Sequence, residues 1–189
     1  LDFINKQDTA DVTVMVMKDS LGLRSTHVLE RGNYDAPAKE VTAGTPEDIL
    51  PFDTTEFEQN RLGLARWLLD EQNPLTGRVF VNRIWQELFG RGIVKTSGDF
   101  GMQGEHPTHP ALLDWLALDF RRHDWDIKHL MKTIVLSGTY RQSSVVTERK
   151  LAVAPENIYL SRAPRLRLPA ELIRDHVLAA AGLLNPEIG

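Results

Sequence analysis

The chain has 189 residues, 42% of them hydrophobic and 25% charged, an ordinary globular composition that excludes wholesale disorder and fibrous repeats. It contains no cysteine, which excludes disulfides, thiolate zinc sites, iron–sulfur clusters and haem attached through C-x-x-C-H. With 22 Lys and Arg against 26 Asp and Glu the net charge is −4, which argues against a nucleic-acid partner.

The opening Leu1-Asp2-Phe3-Ile4 has no basic segment followed by an apolar one, so no export signal is visible there. Apolar runs are only a few residues long, far below the roughly 20 that a membrane-spanning helix needs. No membrane span is expected, and both ends look like cuts through a longer polypeptide. Residues 12–18, rich in Val, Thr and Met, predict a strand that pairs with residues 25–31 across Ser20-Leu21-Gly22. Gly32 to Phe52, with Pro37, Gly44, Pro46 and Pro51, predicts an irregular connector.

From residue 57 the period becomes helical. Leu62, Ala65 and Leu69, with Leu64 and Leu68, form an apolar stripe before Asn73-Pro74. Val81, Ile84, Trp85 and Leu88 follow, with Gly90 placed to stop the helix. Leu113, Leu116, Ala117 and Phe120 repeat the spacing, as do Ile127, Leu130, Met131 and Ile134. Pro169 to Ala181 predicts a last helix, with Ile173, Val177, Ala180 and Ala181 on one face and Gly182 at its end. The expected fold is mainly α: about five packed amphipathic helices, a small N-terminal β-hairpin and long irregular loops. Residues 1–56 would hold the hairpin and connector, and 57–189 the helical domain.

Ionisable residues concentrate in Ser97–Pro110, which holds three glycines, Asp99, Glu105, His106 and His109. Those four side chains suit a divalent metal able to activate water, as in a metal-assisted hydrolase of an extracellular polysaccharide or ester. Asp99 and Glu105 could instead act as a carboxylate pair for glycoside cleavage. The simpler reading is structural: Thr108 caps the following helix, Pro110 sits in its first turn, and no metal is held. Alternation along Arg162-Ala163-Pro164-Arg165-Leu166-Arg167-Leu168 puts Arg165 and Arg167 on one side. Arg162, Arg165 and Arg167 could hold an anion or a sugar acid, although pairing with Asp99 or Glu105 is the favoured role. Trp67 and Trp85 fit a core, whereas Trp115 and Trp125 could stack on a glycan. His27, His123, His129 and His176 stand singly on predicted elements.

Several segments together carry a family resemblance. They are Thr26–Tyr34; Val81-Asn82-Arg83-Ile84-Trp85-Gln86; Phe89-Gly90-Arg91-Gly92-Ile93-Val94; Gly98-Asp99-Phe100-Gly101 through Pro107 to Ala117; Ser137–Ser144; and Arg167–Asp175. The chain resembles the planctomycete secreted domain of unknown function that follows cytochrome-c-like modules in large exported proteins. That resemblance implies a secreted or periplasmic location and haem in an upstream domain; no cofactor is expected in this chain, where the absence of cysteine excludes covalent haem. It implies no established reaction and no catalytic residues. The leading expectation is therefore an accessory domain docking on neighbouring domains of its own polypeptide. Asn82, Arg83, Asp99, Tyr140, Arg141, Arg174 and Asp175 would form its internal polar framework. A metal-assisted hydrolase and a carbohydrate-binding module are the rivals.

Overall fold

A computed structural model describes residues 15–18, 24–185 and 187. The chain forms two compact units, Leu1–Asn73 and Pro74–Gly189. In the first, β1 (Thr26–Leu29) pairs antiparallel with β2 (Pro37–Val41), placing Thr26 opposite Val41 and His27 opposite Glu40. This corrects the expected pairing. Residues 26–29 pair with 37–41; of the expected partner 12–18, residues 12–14 lie outside the described residues and 15–18 form no strand.

The reversal between β1 and β2 explains the difference. Arg31 and Gly32 both take positive φ, 49° and 75°, and the Glu30 N–H reaches the Ala36 carbonyl at 3.0 Å. A tight turn therefore closes inside the segment expected to be irregular. Pro37 begins β2, where a missing N–H is tolerated in an edge strand. Farther on, Asp53 accepts from both the hydroxyl (2.6 Å) and the N–H (2.8 Å) of Thr55. The Thr55 hydroxyl, then its N–H, holds the Asp53 carboxyl below its ordinary range.

Helix α1 (Arg61–Leu69) starts at Asn60, whose side chain accepts from the Gly63 N–H at 2.8 Å. The face it buries differs from the expected stripe. Leu62, Leu64, Ala65, Leu68 and Leu69 are exposed, while Gly63 and Trp67 are buried. Two local anchors choose that face. A Cβ on Gly63 would collide with the Glu58 carbonyl, and the Trp67 indole donates to Leu50 O at 3.0 Å.

The second unit is built on α2 (Thr76–Phe89), α3 (Pro110–Arg122) and α4 (Ile127–Val135). Their inward stripes merge with Ile93 and Val94 into one core containing Val81, Trp85, Leu113, Phe120, Leu130 and Ile134. Each such large side chain contributes about 1.5–3 kcal/mol by leaving water. Rings interleave within it: Trp85 stacks on Phe89 at 4.1 Å between centroids, and Phe80 on Phe120 at 5.0 Å. Gly90 closes α2 in the left-handed region, with φ 75°. Ile127 and Met131, expected on the buried stripe of α4, are exposed. So short a helix presents only Leu130 and Ile134 to the core.

Two further helices complete this unit. α5 (Glu148–Val153), too short to leave a periodic signal, is capped by Thr147, which accepts from Lys150 N–H at 3.3 Å. α6 (Ala170–Ala180) stands where the last helix was predicted but buries none of its residues. No helix among the described residues is long and apolar enough to cross a membrane.

Candidate functional site

The densest gathering of potential ligands lies at the α3–α4 turn. The chain leaves α3 at His123, passes through two consecutive left-handed residues, Asp124 (φ 51°) and Trp125 (φ 59°), and enters α4 at Asp126. Such φ values are costly outside glycine, so neighbouring contacts must hold them. Trp125 N–H donates to Phe120 O at 3.0 Å, and the Trp125 ring meets Phe120 edge-on at 5.3 Å. Asp126 then caps α4 by accepting from the N–H groups of Lys128 (2.8 Å) and His129 (3.1 Å).

This turn brings His129 back over the last turn of α3. The His129 Nε2 lies 3.0 Å from Asp119 Oδ2, and the His123 Nδ1 lies 3.4 Å from Asp119 Oδ1. The two imidazoles stack at 3.7 Å between centroids. One ligand atom from each of Asp119, His123 and His129 lies within 4.8 Å of the other two, the one such group of three among the described residues. The pattern left only one hint of it, the i,i+4 spacing of Asp119 and His123. His129 sits across a turn whose geometry no periodicity encodes.

The 97–110 loop, whose four ionisable side chains make the rival metal site, turns its carboxylates onto its own backbone and onto nearby cations. Asp99 Oδ1 accepts from Gly101 N–H at 2.8 Å, and the Thr96 hydroxyl donates to Asp99 O (2.8 Å) while accepting from Glu105 N–H (2.9 Å). The Glu105 carboxylate lies 3.8 Å from Arg91 and 3.7 Å from Lys95. His106 is exposed, and His109 Nδ1 lies 3.0 Å from the Thr108 hydroxyl. Asp99, Glu105, His106 and His109 do not bring three ligand atoms together. Thr108 is not the helix cap: His109 occupies that position without a side-chain bond. Both the N–H and the hydroxyl of Thr108 donate instead to Ile93 O, at 2.9 and 3.2 Å. Pro110 does occupy the first turn.

A cleft of about 350 Å³ opens beside the end of α2, lined by Trp85, Phe89, Arg91, Thr108, Arg162 and Arg165 among others. Arg91 pairs with Glu156 across it. Arg162 is buried, and its guanidinium donates to Ala154 O (3.2 Å) and Pro155 O (2.7 Å). Its two terminal nitrogens thus clamp the backbone at Ala154 and Pro155. Arg165 and Arg167 are exposed and make no ion pair among the described residues. The favoured pairing of these arginines with the acidic loop therefore gives way to Arg91 and Lys95, which are nearer in the chain. Trp115 is 53% exposed on α3, whereas Trp125 is partly buried against Phe120. Trp67 and Trp85, at 4% exposure each, are core residues. Within the expected polar framework only Asn82 is fully buried; Arg83, Arg141 and Arg174 are exposed.

These features define a mainly α domain with a small β-hairpin and a His-His-Asp cluster at a helix turn. Residues 60–189 match the family model described as PSD1, protein of unknown function (DUF1553), and the chain belongs to that family. No curated protein and no solved structure matches it significantly.

Proposed function

We propose that this chain is an accessory interaction domain of a secreted multidomain protein, docking on neighbouring domains of the same polypeptide. The carrying observation is α6. An isolated helix of this length is marginal in water and draws its stability from a packed apolar face. Yet Leu172, Ile173 and Val177 are 46%, 50% and 62% exposed, and Leu183 and Leu184 continue the apolar surface beyond the helix end. A neighbouring domain covering that face would supply the missing burial. The resemblance to planctomycete secreted domains that follow cytochrome-c-like modules is what supports an exported parent with haem in a separate module.

The test compares amide exchange of Ala170–Ala180 in the 189-residue chain and in its full-length parent. Protection of the helix should rise at least tenfold in the parent and fall back in an Ile173→Asp, Val177→Asp parent. Equal exchange in both contexts overturns the proposal.

A further inference from the structure

We propose that Asp119, His123 and His129 form a binding site for a divalent transition-metal ion of the zinc, nickel or copper type. Two imidazole nitrogens and one carboxylate oxygen are the donors such borderline ions select, whereas calcium and magnesium call for oxygen shells. Donor type alone would be weak ground. Here the donors also converge, with one ligand atom per residue inside a 4.8 Å triangle.

The approach to each ligand is fixed by backbone. Asp119 and His123 are one helical turn apart on α3, and the His123 Nδ1 rests 2.9 Å from the Asp119 carbonyl oxygen. His129 is set by the Asp126 cap and by the fully buried Leu130 that follows it. The left-handed pair Asp124-Trp125 turns α4 back so that the imidazoles face each other. This preorganisation lowers the entropy cost of gathering ligands. The site is also reachable: side-chain exposures are 19% for Asp119, 33% for His129 and 47% for His123.

Binding requires modest change. Each ring turns about its Cβ–Cγ bond until one nitrogen lone pair points at the ion, giving up part of the stacking. The His123 Nδ1 contact with the Asp119 carbonyl is exchanged for coordination or retained as an outer hydrogen bond when Nε2 ligates. Three protein ligands leave a tetrahedral ion one position for water, the arrangement of open rather than closed zinc sites. This inference concerns α3 and α4 alone and does not depend on the docking role of α6.

The alternative is that Asp119 simply ties two helices together through hydrogen bonds to two histidines. Calorimetric titration of the 189-residue chain with Zn²⁺ or Ni²⁺, alongside the Cu²⁺ electron-spin spectrum, separates the two. One ion per chain is expected, with two nitrogen donors in the copper spectrum. Affinity should fall at least about tenfold in His123→Ala, His129→Ala and Asp119→Asn, since losing even an outer-shell partner costs 10–100-fold. His129→Asn, which keeps a hydrogen-bonding side chain beside Asp119, should fold normally and still lose the ion. His106→Ala and His109→Ala should bind as the wild type does. Absence of binding at millimolar ion, or unchanged affinity in the folded His129→Asn chain, overturns the site.

Discussion

The loop between α2 and α3 and the turn between α3 and α4 hold similar residue types and organise them oppositely. Residues 97–109 contain two carboxylates and two histidines in a glycine-rich stretch. Their acidic groups meet backbone N–H groups, Arg91 and Lys95. The turn has fewer residues to work with, yet Asp119, His123 and His129 converge. The difference lies in what constrains them. A helical turn fixes residues four apart on one face, and a core-anchored second helix fixes the third. A flexible loop must first hold its own shape, and short polar side chains satisfy the nearest backbone groups before they gather anywhere else.

This contrast can be broken most severely at the loop's base. Asn82 is fully buried in α2 and exchanges two 2.9 Å hydrogen bonds with the N–H and carbonyl of Val94. Asn82→Ala leaves both backbone groups unpaired in the core, each costing about 1–3 kcal/mol. Chemical denaturation should show a loss of about 2–6 kcal/mol. The imidazole cluster, carried by α3 and α4, should keep its metal affinity below the transition.

A milder break is Gly104→Ala. A Cβ there would collide with the Asp99 carbonyl, so the loop must shift, at about 1–3 kcal/mol, the usual cost of overpacking. Thermal unfolding reads the loss, and metal titration should again be unchanged. If Gly104→Ala abolished metal uptake in a folded chain, the assignment of ligands to the turn would be reversed in favour of the loop.

The smallest effect belongs to Glu105→Gln. Its partners lie at 3.7–3.8 Å and the carboxylate is half exposed, so the expected loss is under about 1 kcal/mol and should vanish in high salt. A loss above about 2 kcal/mol would mean that the loop's charges carry far more of the structure than their exposure suggests.

Much of the helical part is legible along the chain. The α2 and α3 stripes, the Gly90 stop and the first-turn Pro110 reappear in the structure, because apolar spacing and backbone-restricting residues act locally. The leucine stripe of α1 misleads, since five leucine or alanine positions outweigh one Gly63–Trp67 face in any periodicity count. The hairpin partner of residues 25–31 misleads for the same reason. Strand propensity marks segments that can extend, whereas the turn at Arg31-Gly32 selects which of them pairs.

By itself, the order of residues determined that this is a mainly α protein, that α2 and α3 each carry a core-forming stripe, and that no cysteine chemistry is available. Those properties depend on composition and on neighbours within a few positions. The tertiary structure alone decided which face of α1 is buried, that Arg162 points inward, and that His129 meets Asp119 and His123. The last of these depends on how the backbone leaves α3 and enters α4, a path set by two left-handed residues at 124 and 125 with Trp125 packed on Phe120.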